Sequence, residues 1–138
     1  MSYKYTICHP DKEEIELRDN PISAKEVMNI AQNYPWIELL NYSNSMNQEE
    51  VQYSPSLEFI CIEDKNSFTL TANFSKEMEL EFSLWYNRPK KVKILFGLLG
   101  ERDKMVVDEV WENNFEKALK YLKFFVEKNY YEIEKLYQ

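Results

Sequence analysis

The sequence predicts an α+β fold: one antiparallel sheet of about 5–6 strands, an N-terminal hairpin plus a central meander, packed by an N-terminal helix and a long C-terminal helix. Three observations carry that expectation. Apolar side chains recur at period two near the N-terminus and through the middle, and at helical period after Ser23 and after Asn113. Short groups of Asp, Asn, Ser, Lys and Pro separate the strand-like runs. Apolar residues make up 44% and aromatic residues 15% of the 138 residues, enough for one sizeable core, which sets aside full disorder. Residues 1–138 are read as a single domain without internal repeat, linker or low-complexity segment.

The N-terminal hairpin is expected from Tyr3–Cys8 and Glu13–Arg18, with His9-Pro10-Asp11-Lys12 between them. In the second run Ile15 and Leu17 alternate with Glu14 and Glu16. Ser23 and Glu26 then form a capping box, each able to satisfy an orphan backbone donor. Val27, Ile30, Ala31 and Tyr34 follow at helical spacing, and Pro35 stops the helix, placing it over Ser23–Tyr34. Trp36–Leu40 is too short to assign to strand or helix. Asn41–Ser56 reads as a polar loop, long enough to be either functional or mobile.

Four strands are expected next, at Leu57–Glu63, Phe68–Phe74, Met78–Tyr86 and Val92–Phe96, with turns at Asp64–Ser67 and Asn87–Lys90. Phe68, Leu70, Ala72, Phe74, Met78, Leu80, Phe82, Leu84, Val92, Ile94 and Phe96 share one face if Phe74 pairs with Met78 and Tyr86 with Val92. Thr69, Thr71, Asn73, Glu79, Glu81, Ser83, Trp85, Lys91 and Lys93 take the other face. Phe59 and Cys61 are expected on that second face, with Ile60 and Ile62 toward the core, so part of the second face would be apolar. Met105–Val107 reads as a fifth strand after a turn at Gly97–Asp103, with Asp108–Glu112 leading into the last helix. Asn113 and Glu116 form its capping box, and Phe115, Leu119, Leu122, Val126, Ile133 and Leu136 mark its stripe. That stripe covers about seven turns, with a break near Asn129.

Composition removes much familiar chemistry. Gly97 and Gly100 are the only glycines, so glycine-rich phosphate cradles are not expected. No apolar run approaches the ~20 residues of a membrane span, and Met1–Tyr5 opens on mixed polar sequence rather than a secretory leader. Cys8 and Cys61 lie far apart in apolar strand patterns, which suits reduced thiols in a cytoplasmic protein. His9 is the one imidazole; Asp11, Glu13 and Glu14 beside it are a weak ligand set, so no metal and no cofactor are expected. Cys8 and His9 are adjacent in a strand and point to opposite faces, so they do not form a nucleophile pair. Glu79 and Glu81 would share a face about 7 Å apart, a glycosidase-like spacing that any strand with alternating acids produces. No catalytic residues are assigned.

The charge is uneven: 17 basic against 24 acidic residues give −7. The stretch after Asn113 is nearly neutral, so the acid excess lies before it. That balance disfavours nucleic acid and suits a basic protein partner. Arg88–Lys93, a small basic group, reads as the solubilising tip of a hairpin. Three acidic groups are candidate partner-binding surfaces: Glu49, Glu50, Glu58, Glu63 and Asp64; Glu79 and Glu81 beside Trp85; and Asp108, Glu109 and Glu112 around Trp111. A tryptophan ringed by charge is how an interface anchor and its rim look.

In size, acidity and architecture, with a four-to-five-stranded meander, a closing helix and no catalytic set, the chain resembles the immunity proteins of bacterial toxin–immunity pairs. The resemblance implies a cytoplasmic protein, not an enzyme, that binds and neutralises one cognate toxin, often a basic nuclease, through an acidic surface. No motif transfers individual residues. Two alternatives stand beside it. One is a small-ligand or enzymatic domain using a pocket between sheet and helices. The other is a homodimeric regulatory module, motivated by Phe59, Cys61 and Trp85 on the second sheet face.

Overall fold

A computed structural model describes residues 2–93 and 101–137, with side chains described for 2–89 and 107–137. The strands β1 (Tyr3–Cys8), β2 (Glu16–Ile22), β3 (Ser56–Cys61), β4 (Ser67–Phe74), β5 (Leu80–Lys93) and β6 (Glu101–Asn113) form one antiparallel sheet in the order β2-β1-β3-β4-β5-β6. The helices are α1 (Ala24–Asn33), α2 (Trp36–Ser45), α3 (Phe115–Val126) and α4 (Tyr130–Leu136). The α+β expectation holds at this level. Helix placement differs from it in two ways, with a second N-terminal helix and a divided C-terminal one.

Alternation decides which sheet face is buried. Tyr3, Ile7, Leu57, Phe59, Phe68, Leu70, Ala72, Phe82, Leu84 and Tyr86 are buried in one cluster with Val27, Ala31, Trp36 and Leu40 from α1 and α2. Ala118, Leu122, Phe125 and Ile133 from α3 and α4 complete that cluster, so all four helices cover the same face. The C-terminal stripe therefore runs through Ala118 and Phe125; Leu119 and Val126, assigned to it from spacing, are only partly buried.

The first helix begins as expected: Ser23 Oγ accepts from the Glu26 N–H at 3.2 Å. Pro35 ends α1 and immediately starts α2, and the Trp36 Nε1–H donates to the Ala31 carbonyl at 3.0 Å across the junction. Trp36 then packs edge-on against Phe82 with ring centroids 5.0 Å apart. Trp36–Leu40 is thus helical, and the polar stretch expected to be a loop from Asn41 to Ser56 is shorter than that. Its first residues finish α2, Gln48–Glu50 make a 3-10 turn, and Ser56 already belongs to β3.

The third strand corrects the sequence reading. Phe59 pairs with Phe68 and Leu57 with Leu70, so odd residues of β3 share a face with even residues of β4. Phe59 and Cys61 are therefore fully buried under the helices, not on the second face. Ile60 lies on the helix-free side between Lys4 and Ser67, and Ile62 is exposed in the turn. The cause is turn parity: a four-residue turn, whether at 64–67 as expected or at 62–65 as observed, sets odd residues of β3 opposite even residues of β4. The strand stops at Cys61, four residues form the turn, and Lys65 takes the left-handed conformation (φ 61°) that lets the Cys61 N–H reach the Asn66 carbonyl at 2.9 Å.

Register also shifts at the next turn. Phe74 pairs with Leu80 rather than Met78, and Met78 sits at φ 62° in the turn, where its N–H reaches the Ser75 carbonyl. The two-residue shift preserves parity, so Leu80, Phe82 and Leu84 keep the expected face. Asn87–Lys90 is not a turn: β5 runs through it, and Tyr86 pairs with Phe68 and Asp108 rather than Val92. The β4 register ends at Ser67 opposite Asn87, so Pro89 stands where β5 has an open edge. Beyond that point β5 and β6 continue as a two-stranded arm out to Lys93 opposite Glu101. Met105–Val107 falls inside β6, as does part of the expected Gly97–Asp103 turn. Ile94–Phe96 and Gly97–Gly100 lie outside the described residues, as do the faces taken by Lys91, Val92 and Lys93.

The last helix starts one residue later than expected. Asn114 is its cap, accepting from the Lys117 N–H at 2.8 Å, while Asn113 is buried at the end of β6. The expected break falls at Lys128 (φ 59°) and Asn129, between α3 and α4.

Candidate functional site on the helix-free sheet face

Register places one continuous row across the face that the helices leave open. Leu17, Thr6, Glu58, Thr69, Trp85 and Glu109 stand side by side on β2, β1, β3, β4, β5 and β6. Beside it runs Cys8, Ser56, Thr71 and Ser83, and on the other side Lys4, Ile60, Ser67, Asn87 and Val107. Glu58 and Glu109 are three strand steps apart, about 14 Å at ~4.8 Å per step. The face is therefore mostly hydroxyl, with two carboxylates in one row and one large indole between them.

Hydrogen bonds fix most of this surface. Glu58 accepts from Thr6 Oγ1 at 3.4 Å and from Ser67 Oγ at 3.0 Å. Thr71 Oγ1 accepts from Ser56 Oγ at 3.0 Å and from the Trp85 Nε1–H at 3.2 Å. The indole is thus tied toward β4 and lies across the threonines. Glu109, its direct neighbour on β6, differs: its Oε1 is closed off from solvent and has no hydrogen-bond partner. Burial of the carboxylate pushes its pKa above the usual range.

At one end of the face β6 bulges. Phe82 pairs with Asn113 and Leu84 with Val110, so Trp111 and Glu112 together oppose Ser83. Glu112 takes φ 63°, and the buried Asn113 amide donates to the carbonyls of Phe82, Val110 and Trp111, each at 3.2 Å. The bulge leaves the Trp111 side chain 63% exposed. Glu81 stands near this end, opposite Asn73 on the open face.

The twelve candidate partner-binding residues therefore divide. Glu58, Glu81, Trp85, Glu109, Trp111 and Glu112 gather on the open face or at its bulged edge. Glu79 precedes β5 in a turn, its N–H on Ser75 Oγ, so it does not share a strand face with Glu81. Glu49 and Glu50 are exposed in the 3-10 turn and belong to neither group. Glu63 accepts from the Ser2 N–H at 2.8 Å. Asp64 accepts from Lys128 Nζ and from Tyr130 Oη, which hold its carboxyl below the usual range and latch the α3–α4 junction to the β3–β4 turn. Asp108 projects on the helix side, paired with Arg88 at 2.7 Å.

Arg88 is not a solubilising tip residue. It is buried, clamps Glu134 of α4 at 2.8 and 2.9 Å, and lies over the Tyr86 ring at 5.0 Å. Sequence reasoning missed that role, which follows from parity along β5 once the strand is known to run unbroken. It did place Thr69, Thr71, Ser83 and Trp85 on this face, and missed that Thr6, Ser56, Glu58 and Ser67 join them.

The space between sheet and helices is filled by Phe59, Phe68, Phe82 and Phe125, all fully buried. Open clefts of about 310 Å³ beside Tyr5 and Arg18, and of about 250 Å³ beside Trp36 and Ile37, lie at the periphery. Among the described residues no three His, Cys, Asp or Glu side chains converge on a metal-sized space, and no helix is long and apolar enough to cross a membrane. Comparison with known proteins finds no matching family model, no matching curated protein and no matching solved structure.

Proposed function

We propose that the protein is a binding protein that neutralises a basic toxin domain in the cytoplasm, and that the helix-free sheet face is its binding surface. One observation carries the reading: Glu58, Trp85 and Glu109 share a single cross-strand row, with Glu81, Trp111 and Glu112 at its bulged edge. An indole anchor within an acidic rim is the arrangement that a basic protein surface complements. The resemblance to immunity proteins in size, acidity and architecture supports the same reading. The filled space beneath the helices favours surface recognition over a pocket. The homodimer alternative keeps only Trp85 of its three residues, because Phe59 and Cys61 lie under the helices.

The test is co-expression. A cell carrying the cognate toxin should grow when it makes this protein. It should stop growing when Glu81, Glu109 and Glu112 are all replaced by Lys, with folding checked by circular dichroism. Equal protection by the charge-reversed variant would remove this face from the mechanism.

A further inference from the structure

We infer that Trp85 and Glu109 form the seat for one arginine side chain of the partner, with the guanidinium stacked on the indole and its N–H fork on the carboxylate. This rests on the reading that the open face binds a basic protein. It adds which chemical group that face is built to take.

Three features single out this pair. The two residues are direct cross-strand neighbours, so their Cβ atoms stand about 5 Å apart. That is close enough for one planar cation to touch both. The ring is held in place before any ligand arrives, because its Nε1–H is spent on Thr71 Oγ1 at 3.2 Å. A preset ring loses little freedom on binding and leaves a π-face for a cation. The carboxylates also differ in what they lack. Glu58 already takes two hydroxyl donors, whereas Glu109 Oε1 has none and no access to water. Offering both oxygens to one fork requires the Glu109 side chain to swing outward, and no hydrogen bond holds Oε1 where it is.

An arginine fits that combination better than a lysine. Its planar fork offers two parallel N–H groups to one carboxylate, and its flat face stacks on an indole. An ammonium would satisfy the charge without the plane.

The experiment titrates the ¹⁵N-labelled full chain at low salt with two capped tripeptides, Gly-Arg-Gly and Gly-Lys-Gly. The arginine peptide should shift the Trp85 indole N–H and the Thr71, Trp85 and Glu109 amides saturably. The lysine peptide should bind several-fold more weakly. Glu109→Gln should weaken the arginine peptide about tenfold. Trp85→Phe, which keeps a ring, should retain more binding than Trp85→Leu. Shifts centred on Glu81 and Glu112 and unchanged by Glu109→Gln would overturn the seat while leaving the acidic face intact as a binding surface. No shift anywhere on this face with either peptide would count against both.

Discussion

At the scale of single residues, Glu109 and Arg88 are opposite cases of a charge taken from water. Arg88 is fully served by Glu134, Asp108 and the Tyr86 ring. Replacing it by Ala leaves two carboxylates facing each other across α4 and β6, and should cost about 2–3 kcal/mol in urea unfolding. Glu109 is not served. Desolvation raises its folded pKa, so its ionised form opposes folding above that value, and the penalty fades as pH falls through it. Glu109→Gln should therefore raise the thermal midpoint at neutral pH and converge with the wild type in acid. A midpoint lowered at all pH values would contradict that. None of this could be read from Asp108-Glu109 as a sequence pair. Alternation says only that the two face opposite ways, not which of them meets Arg88.

At the scale of elements, turns decide what the strands mean. The Leu57–Cys61 alternation was legible and so was its phase, because the expected turn at 64–67 and the observed one at 62–65 both have four residues and both pair odd with even; the face was misassigned by not carrying that parity across the turn. The Phe74–Leu80 turn shifted register by two, and the face survived. Helix starts were legible to within a residue at Ser23 and Asn114, because a capping side chain has one backbone donor to reach. The α2 helix was not, since Pro35 both ends one helix and opens the next. Met78 gives a direct test. It is 63% exposed at φ 62°, a conformation costing a non-glycine residue roughly 1 kcal/mol. Met78→Gly should leave stability unchanged or raise it by up to ~1 kcal/mol in chemical denaturation, because no packing is lost. The latch between the β3–β4 turn and the α3–α4 junction gives another. Lys128 and then Tyr130 hold Asp64 below its ordinary value of 3.8. A depressed acid stabilises the fold above its unfolded pKa, and that contribution is lost as pH falls through the folded one. The Asp64→Asn variant should thus melt lower than the wild type at neutral pH, and the gap should close as pH falls through the depressed folded value. A gap that persists in acid would place the effect in packing instead.

At the scale of the whole molecule, six strands covered on one side by four helices leave the other side for contact. The acid excess of the chain does not coat this face evenly. Glu63, Asp64 and Asp108 are spent on internal ties, and Lys4 stands on the open face itself. What remains is local: a hydroxyl-rich sheet surface with Glu58, Trp85 and Glu109 in one row and Trp111 lifted out by the bulge. Complementary charge there would speed encounter with a basic partner, and the half-buried Trp85 indole would hold it. Binding should accordingly weaken steeply with salt in its association rate more than in its dissociation rate. The most direct measurement is a parallel capture from native host lysate, at low and moderate salt, with the wild type and the Glu81, Glu109, Glu112→Lys variant as baits. The account predicts one basic protein, retained stoichiometrically by the wild type at low salt and not by the variant, whose toxicity the wild type relieves in cells. Equal retention of that protein by both baits, or a toxin neutralised without the open face, would contradict it.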